Sequence, residues 1–262
     1  MTKISIVTPS YNKDKFIGEC IESVKKQKEY IFEHIIIDGL STDKTHNIIM
    51  DKKYSKLKYY SEKDKNQSEA LNKGLNYSSG DIICWLNADD FLQDDILKEI
   101  VNILKEDDWD ILYGTIDIVD SNGNKLFTQY SFPYRKNYLL NMGCYIPSVG
   151  CFFRKSAIIN NGIAFDENLK YVMDWDIFLK ASQLNLRFKN IRNKIASFRM
   201  YEGNKTSEVK NRRIERRKVQ LKNGKKTHET FFGRALMWFN YYFYRFFFVT
   251  ESLFIKKIKN HK

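Results

Sequence analysis

The residues best suited to chemistry follow a short apolar run in the first third of the chain. Residues 82–86 read IICWL, and Asn87, Asp89 and Asp90 come directly after them. Two carboxylates at the end of a buried strand repel each other and lose solvation, so they need a positive charge nearby. Because Mg²⁺ and Mn²⁺ prefer oxygen ligands, and Mg²⁺ commonly takes only one or two carboxylates, the pattern predicts a divalent cation that carries a diphosphate.

The same residues also have a structural explanation. Asp89 and Asp90 precede an amphipathic segment at 94–106, and the dipole of a helix stabilises negative charge near its N-terminus. Thr42 or Asp43 could likewise cap a helix that follows the segment GLSTDKT. The residues alone leave both interpretations of the acidic pair open.

Polar side chains follow the other apolar runs of the first hundred residues as well. Asn12, Asp38, Asp64 and Asp89 each come just past a predicted strand. Ligands of α/β sheets bind outside the carboxyl ends of the strands. We therefore expect these four side chains to converge at one edge of the sheet.

The elements that must position these residues alternate between strand and helix. Apolar runs predict strands, and stripes of apolar residues at helical spacing predict helices between them. The predicted strands are 4–12, 34–38, 57–64 and 82–86, and the predicted helices are 15–27, 68–80 and 94–106. This order is typical of an α/β layered domain with a mainly parallel sheet.

The second half of the chain is more mixed. An Asn-Gly turn within 110–130 predicts a β-hairpin, and 165–185 carries a helical stripe that contains Asp174. G-x-G-x-x-G and G-x-x-x-x-G-K-[ST] are both absent from the sequence. A bound diphosphate would then be held by a metal ion rather than by a glycine-rich loop, which argues against a dehydrogenase.

Composition limits the class of protein. The hydrophobic content of 43% suits a folded core, and the four cysteines contain no CxxC pair and are expected to be buried free thiols. The net charge is +12, and eleven Lys or Arg against three Glu lie between Arg199 and Lys226. Such a basic stretch suits an anionic surface, either a membrane or a nucleic acid. The N-terminal residues show no secretory signal pattern.

Four segments together resemble the family-2 glycosyltransferases of the GT-A fold, of the inverting, bacterial surface-glycan type. They read SIVTPSYNKDKFIGECIESVKKQ, IIIDGLSTDKT, NQSEALNKGLNYSSGDIICWLNADD and FDENLKYVMDWDIFLKAS. The resemblance covers about residues 3–207, and it implies a Rossmann-like nucleotide-diphospho-sugar transferase domain with a mainly parallel central sheet. We therefore expect a GT-A domain at 1–207 and a basic, aromatic helical tail at 208–262.

The resemblance also implies a nucleotide site. Asp38 would accept the base N–H of a uracil-like ring, and Asp64 would lie near the nucleotide. The residues that would line the pocket are Thr8, Pro9, Tyr11 and Asn12.

In the same way, Asn87, Ala88 and Asp89 stand where the family has its D-x-D motif. Asp89 would bind Mg²⁺ or Mn²⁺ on the donor diphosphate, with Asp90 beside it as a second metal residue. Asn87 replaces the usual first Asp, and it could donate a hydrogen bond to a ribose hydroxyl.

Asp174, in YVMDWD, matches the catalytic base of the family. A carboxylate in that position can take the proton of an acceptor hydroxyl as the glycosidic bond forms. One base without an enzyme nucleophile implies a single displacement, and therefore inversion at the anomeric carbon. Asp176 is better explained as a carboxylate in the first turn of a helix.

The sequence departs from the family pattern in two ways. Arg199-Met200-Tyr201 stands where the family often has Arg-x-His, so Tyr201 would have to replace that His or leave its role unfilled. A Q-x-x-R-W motif and long apolar spans are also missing. These features favour an enzyme that adds one sugar at a time over a processive, membrane-embedded synthase.

The C-terminal segment 231–254 holds twelve aromatic residues, but Arg234, Asn240 and Arg245 interrupt it before the ~18 apolar residues that a membrane span needs. An interfacial helix on an anionic membrane fits this composition. The alternative is a helix that packs on the domain or in a homodimer.

The sequence thus predicts a metal-dependent glycosyltransferase that moves one sugar from a nucleotide-diphosphate donor, with a UDP-sugar favoured, to a glycan or lipid-linked acceptor. We expect it in the cytoplasm, peripheral at the inner face of the cell membrane. The alternative is a basic protein that binds a membrane or nucleic acid without catalysis. Because the aromatic residues follow the basic run rather than lie within it, a nucleic acid is not expected. A sugar-nucleotide-binding relative without activity is disfavoured by the presence of Asp174.

Overall fold

The computed structural model describes residues 3–103, 105, 109–202, 209–224, 239 and 242. The strands of these residues are β1 Ile4–Ser10, β2 Glu33–Asp38, β3 Leu57–Ser61, β4 Ile82–Trp85, β5 Phe91–Leu92, β6 Ile111–Val119, β7 Lys125–Gln129, β8 Cys151–Arg154 and β9 Phe188–Arg199. The helices are α1 Ile17–Lys25, α2 Thr45–Asp51, α3 Gln67–Tyr77, α4 Ile96–Ile103, α5 Lys136–Met142, α6 Lys155–Ile159, α7 Met173–Gln183 and α8 Val209–Lys222.

All the strands described belong to one sheet in the order β3-β2-β1-β4-β8-β6-β9-β5, with β7 paired to β6. The strands β1, β2, β3, β4, β6 and β9 run in one direction, and β5, β7 and β8 run against them. The predicted α/β fold with a mainly parallel sheet is therefore confirmed. The predicted hairpin is formed by β6 and β7, and Gly123 has φ +85° in its turn.

The apolar patterns explain the elements around the site. Every residue of β1 and β2 is buried, as expected of parallel strands covered on both faces by helices. The apolar stripe predicted for the first helix contains Phe16, Ile17, Cys20, Ile21 and Val24. The last four are buried in α1, whereas Phe16 is the N-cap and only partly buried. Cys84 and Cys151 are also buried, whereas Cys144 is exposed, so the expectation of four buried thiols is wrong at that position.

The segment after Asp90 differs from the prediction. The helix expected at 94–106 begins at Ile96, because Phe91 and Leu92 form β5 and pair antiparallel with β9. A strand therefore separates Asp89 and Asp90 from the helix, and the explanation of this acidic pair as a helix cap is wrong. The N-cap of α2 is Lys44 rather than Thr42 or Asp43, although Asp43 Oδ1 accepts the backbone N–H of Thr45 at the start of the helix at 2.9 Å.

Helix α8 packs on the domain although it lies beyond the predicted boundary at residue 207. Val219 is only 1% exposed and belongs to the core cluster around Trp175. The side chain of Glu215 accepts the backbone N–H groups of Lys170 and Tyr171 at 2.9 and 2.7 Å. The predicted interfacial segment 231–254 lies outside the described residues, apart from residues 239 and 242. Among the described helices, none has the length and apolar character needed to cross a bilayer.

Candidate active site

The carboxyl ends of β1, β2 and β3 meet at one edge of the sheet. Ser10 is in register with Asp38, and Asp38 with Ser61, and β4 ends beside β1. The polar residues that follow these strands therefore converge, as the sequence predicted for Asn12, Asp38, Asp64 and Asp89.

At the β1–β2 side, the loops after the two strands bind each other. The Asn12 backbone N–H donates to Ser41 Oγ at 2.8 Å, and Asn12 Oδ1 accepts the Thr42 N–H at 2.8 Å. Ser41 in turn donates its hydroxyl and its N–H to the carboxylate of Asp38, at 2.5 and 2.9 Å. Asp38 is buried, and its carboxylate is oriented by the loop that follows it.

The carboxylate of Asp64 lies against the backbone of this loop at Gly39. A Cβ atom on Gly39 would lie 2.6 Å from Asp64 Oδ2, closer than real Cβ contacts allow. Only the absence of a side chain at Gly39 lets the carboxylate of Asp64 lie against the backbone directly after Asp38.

The four residues expected to line a nucleotide pocket differ in accessibility. Thr8 and Pro9 are buried in β1, and Thr8 Oγ1 lies 3.0 Å from Nε2 of the buried His34, whose pKa is lowered by burial to about 3. Tyr11 is 57% exposed and Asn12 is also exposed. A ligand at this edge would therefore meet the side chains of Tyr11 and Asn12, whereas Thr8 and Pro9 shape the strand beneath them.

In the acidic loop, the side-chain amide of Asn87 makes three hydrogen bonds. Its Oδ1 accepts from Trp85 Nε1 and from Gln67 Nε2, both at 2.7 Å, and its Nδ2 donates to Asp90 Oδ2 at 2.8 Å. An amide is the only side chain of this size that can accept at one end and donate to a carboxylate at the other. This explains an Asn where the family commonly has an Asp, and it places Asn87 in a structural role.

Asp90 is buried, with 1% of its surface exposed, and Ala88 beside it is buried as well. Besides Asn87, Asp90 binds the backbone N–H of Arg199 at 2.9 Å. Burial and the neighbouring charge of Asp89 raise the pKa of Asp90 well above its usual value. Asp90 therefore faces the interior, and of the two carboxylates only that of Asp89 points to the open edge of the sheet.

Arg199 fixes the backbone of this loop. Its guanidinium donates to the carbonyl of Asp89 at 3.0 Å, pairs with Glu19 of α1, and binds the carbonyls of Asp120 and Ser121 in the hairpin turn. The loop that carries Asp89 is thus attached to three distant segments of the chain.

The carboxylate of Asp89 meets a cation from its own chain. Lys13 Nζ lies 2.9 Å from Asp89 Oδ2, and the hydroxyl of Tyr201 donates to the same oxygen at 2.7 Å. Burial alone would lower the pKa of Lys13, but the charge of Asp89 and the contact with Tyr201 raise it, so the ammonium stays protonated. Sequence reasoning missed Lys13, although a lysine three residues past a strand end could have been placed at the same edge as Asp89.

The residues at this point fit a divalent cation through one carboxylate. Asp89 Oδ1 accepts no hydrogen bond from the part of the chain that the structure describes. The same residues contain no cluster of three or more His, Cys, Asp or Glu that could hold a metal ion by itself. A single free carboxylate oxygen suits an ion such as Mg²⁺ or Mn²⁺ whose other ligands come from phosphate and water.

The predicted base lies at the start of α7, next to the acidic loop. The first residues of α3 join the two regions, because Gln67 binds Asn87 and Ser68 Oγ lies 3.1 Å from Met173 Sδ. Asp174 follows Met173, and its Oδ1 accepts the backbone N–H of Trp175 at 2.8 Å. Asp176 is buried and paired with Lys180 at 2.7 Å, as expected of a structural carboxylate in the first helical turn.

Asp174 has the electrostatic setting of a proton acceptor. Desolvation raises its pKa to about 6, against the lowering effects of the Trp175 N–H and of the positive charge of Arg212 on α8. Arg216, one turn further along α8, lies over the ring of Trp175 at 5.3 Å. Helix α8 therefore contributes to the surroundings of the predicted base, which the sequence did not reveal.

The architecture is thus a mainly parallel sheet with carboxylates after its strand ends, followed by a helix that carries a further Asp. The family model of Glycosyl transferase family 2 matches residues 5–243, so the chain belongs to that family. The GT-A fold is confirmed by solved structures. A mannosyltransferase from Pyrobaculum calidifontis, in complex with GDP-Man and Mn²⁺, has a TM-score of 0.64 at 15% identity over 85% of this chain and 65% of its own. Staphylococcus aureus TarS in complex with UDP-GlcNAc has a TM-score of 0.62 at 23% identity over 78% of this chain and 60% of its own.

Curated relatives agree with the family assignment. The chain is 29% identical over 207 residues to a chondroitin synthase of Escherichia coli, covering 78% of this chain and 30% of that protein. It is 29% identical over 172 residues to the poly(ribitol-phosphate) β-N-acetylglucosaminyltransferase TarP of S. aureus, covering 63% of this chain and 53% of that protein. The chain thus spans about a third of the first relative and about half of the second.

The role of Asn87 can be tested by Asn87→Asp, which puts a second carboxylate beside the buried Asp90. We expect this variant to lose about 2–4 kcal/mol of unfolding free energy at pH 7, because Asp90 loses a donor and gains a like charge. Urea denaturation measures the loss, and it should shrink as the pH falls and the carboxyls become protonated. Asn47→Asp, on the exposed face of α2, is the matched control. Equal stability of the two variants would contradict the assignment.

The setting of Asp174 predicts the acid limb of the pH–rate profile for sugar transfer. Because the base works only when ionised, kcat/KM should rise with pH through a pKa of about 6. In Arg212→Gln the limb should move to higher pH, since a charge that lowers the pKa is removed. Arg213→Gln, one residue further along α8 and exposed, should leave the limb in place.

The variant Asp174→Asn supplies the control for folding. Since folding raises the pKa of Asp174, the ionised carboxyl destabilises the native state above the unfolded pKa, and this cost is complete once the pH exceeds about 6. An Asn avoids the cost, so this variant should abolish transfer without losing stability at pH 7. Retained transfer, or an acid limb that Arg212→Gln and Arg213→Gln shift equally, would count against Asp174 as the base.

Proposed function

We propose that this protein is an inverting glycosyltransferase that moves one sugar from a nucleotide-diphosphate donor, with a UDP-sugar favoured, to a hydroxyl group of a glycan or lipid-linked acceptor. The observation that carries the proposal is that two carboxylates, those of Asp89 and Asp174, lie in different electrostatic surroundings. Asp89 lies at the open edge of the sheet beside the ammonium of Lys13, and Asp174 lies in the first turn of α7 with a raised pKa. The first suits a diphosphate with its counter-ion, and the second suits proton abstraction.

Similar proteins support the donor class. TarS is solved with UDP-GlcNAc, and the Pyrobaculum mannosyltransferase with GDP-Man and Mn²⁺. In this chain Asp38 is oriented by Ser41 behind the exposed Tyr11 and Asn12. We assign the base and ribose to this side, near Asp64, and the diphosphate to the side of Asp89.

Asp174 acts as the general base. A pKa of about 6 leaves its carboxylate ionised at neutral pH and still basic enough to take the proton of an acceptor hydroxyl. The oxygen of that hydroxyl forms the new bond to the anomeric carbon while the bond to the diphosphate breaks. Because no enzyme nucleophile takes part, the configuration at the anomeric carbon inverts.

Asp89 is the residue that would hold Mg²⁺ or Mn²⁺ with the donor. When bound there, the metal ion neutralises the charge that develops on the departing diphosphate. The hydroxyl of Tyr201 keeps the carboxylate oriented from the position where the family often has a His. We give no metal role to Asp90, since Asn87 and Arg199 engage it in the interior.

Polysaccharide biosynthesis at the cell envelope is the proposed setting. The relatives include the E. coli chondroitin synthase, an amylovoran biosynthesis glycosyltransferase of Erwinia amylovora and S. aureus TarP. The acceptor of this protein would accordingly be a growing glycan or a lipid-linked saccharide.

We further propose that α8 helps to attach the enzyme to the inner, cytoplasmic face of an anionic membrane. Ile214 and Leu221 are 48% and 47% exposed and lie two helical turns apart. Exposed basic residues flank them on the outer surface of the helix: Lys210, Arg213, Arg217 and Lys218. An apolar pair surrounded by cations is typical of helices at the headgroup boundary. A homodimer contact through the same surface is the alternative.

The donor site can be tested by thermal unfolding with UDP, dTDP, GDP and CMP, each with and without Mn²⁺. We expect one nucleotide diphosphate with Mn²⁺ to raise Tm by about 5 °C or more near saturation. The shift should vanish in Asp89→Ala and persist in Asp94→Ala, which removes an exposed carboxylate from a nearby loop. No shift with any nucleotide would contradict the transferase and favour the non-catalytic membrane- or nucleic-acid-binding alternative.

The membrane proposal can be tested by co-sedimentation with vesicles of phosphatidylglycerol and of phosphatidylcholine. Binding should require the anionic lipid and weaken as salt increases. The double variant Ile214→Ser with Leu221→Ser should bind about tenfold or more weakly, since two apolar side chains no longer enter the membrane. Leu126→Ser, which changes an exposed leucine of the hairpin, is the matched control. Equal binding by both variants, or a dimer that dissociates in the double variant, would overturn the assignment.

A further inference from the structure

Three side chains from distant parts of the chain form one compact group at the open edge of the sheet. Lys13 Nζ lies 2.9 Å from Asp89 Oδ2 and 2.5 Å from the hydroxyl of Tyr201. That hydroxyl donates to the same oxygen of Asp89 at 2.7 Å. The ammonium and the hydroxyl thus both engage Oδ2 of the carboxylate that faces the donor side.

The ammonium is positioned by its surroundings. The backbone N–H of Lys13 donates to Thr45 Oγ1 at 2.8 Å, and its carbonyl accepts from the N–H groups of Phe16 and Ile17 at the start of α1. The ring of Tyr201 packs against Phe16 with 4.6 Å between centroids, and Lys13 Nζ lies 5.3 Å from the centroid of the Tyr201 ring. Hydrogen bonds therefore hold the backbone of Lys13, and packing against Phe16 holds the ring of Tyr201.

Tyr201 strengthens the connection between the two charges. Through one oxygen atom it accepts a hydrogen bond from the ammonium and donates one to the carboxylate, so each contact orients the other. The exposed fractions of the Lys13 and Asp89 side chains are 28% and 16%, so solvent screens this ion pair less than one on the open surface.

We propose that the ammonium of Lys13, held on Oδ2 of Asp89, is a built-in counter-ion that competes for the charge of this carboxylate with a divalent cation at the other oxygen, Oδ1, and that it is displaced as the cation binds. This inference rests on the proposed role of Asp89 in binding the metal-diphosphate. An ammonium and a divalent cation on one carboxylate repel each other. The divalent cation binds there only when phosphate and water supply its other ligands.

Competition lowers the apparent affinity for the metal. If the ammonium occupies the carboxylate in about nine molecules out of ten, the metal meets a competent site in only the remaining tenth, and its apparent Kd is about tenfold above the intrinsic value. Removing the charge of Lys13 should therefore tighten metal binding, which is opposite to the effect of removing a ligand.

The test is a titration with MnCl₂ in which the EPR signal of the free ion reports binding to the protein in the presence of saturating UDP. We expect Lys13→Met to bind Mn²⁺ about tenfold more tightly than the wild type. Lys15→Met, an exposed lysine two residues away, removes the same charge without touching Asp89 and should change the affinity by less than about twofold. Lys13→Arg keeps a cation in place and should behave like the wild type.

Tyr201→Phe provides an independent variant, because it removes the hydroxyl that joins the ammonium to the carboxylate and leaves the aromatic packing. It should bind Mn²⁺ more tightly than the wild type, though less so than Lys13→Met. The proposal would be overturned by unchanged affinity in both variants, by an equal gain in Lys15→Met, or by the absence of Mn²⁺ binding in every variant. Nucleotide stabilisation that disappears in Asp89→Ala would leave the transferase proposal standing in each of those cases, so the two can fail separately.

Discussion

The geometry at the candidate active-site edge of the sheet depends on the hydrogen bonds that the buried carboxylate of Asp90 accepts. Asp90 is removed from water, and an isolated charge there would cost several kcal/mol. The amide of Asn87 and the backbone N–H of Arg199 supply its hydrogen bonds. The guanidinium of Arg199 then reaches the carbonyl of Asp89, α1 and the hairpin turn. One buried group therefore fixes the loop after β4 to three other parts of the fold.

This arrangement gives the neighbouring residues Asp89 and Asp90 different roles. Asp90 is committed to the interior and Arg199 holds the carbonyl of Asp89, so the loop does not depend on the carboxylate of Asp89, which leaves that group for the proposed exchange of cations. The choice of Asn over Asp at position 87 follows from the same constraint, since the second oxygen of an Asp would replace the amide N–H that donates to Asp90 and would face its carboxylate. A departure from the family motif is thus explained by the packing beneath it.

Much of this could be predicted from sequence, because it depends on local patterns. Apolar runs gave the strands, and the rule on strand ends brought Asn12, Asp38, Asp64 and Asp89 to one edge. What the sequence did not reveal depends on contacts between distant residues. The pairing of β5 with β9 decides that Asp90 turns inward, and Lys13 meets Asp89 across 76 positions of the chain. The docking of α8 lies beyond the region where the resemblance was recognised.

The two carboxylates proposed to take part in the reaction, Asp89 and Asp174, differ in how a cation from a remote segment acts on them. Each is influenced by a cation from a remote segment, Lys13 for Asp89 and Arg212 for Asp174. Lys13 makes a direct ion pair with Asp89 at 2.9 Å, which suits a residue proposed to attract positive charge. Arg212 acts through space and only partly offsets desolvation, which leaves Asp174 with a pKa of about 6. A direct ion pair therefore distinguishes the carboxylate proposed to bind a cation, and desolvation distinguishes the carboxylate proposed to accept a proton.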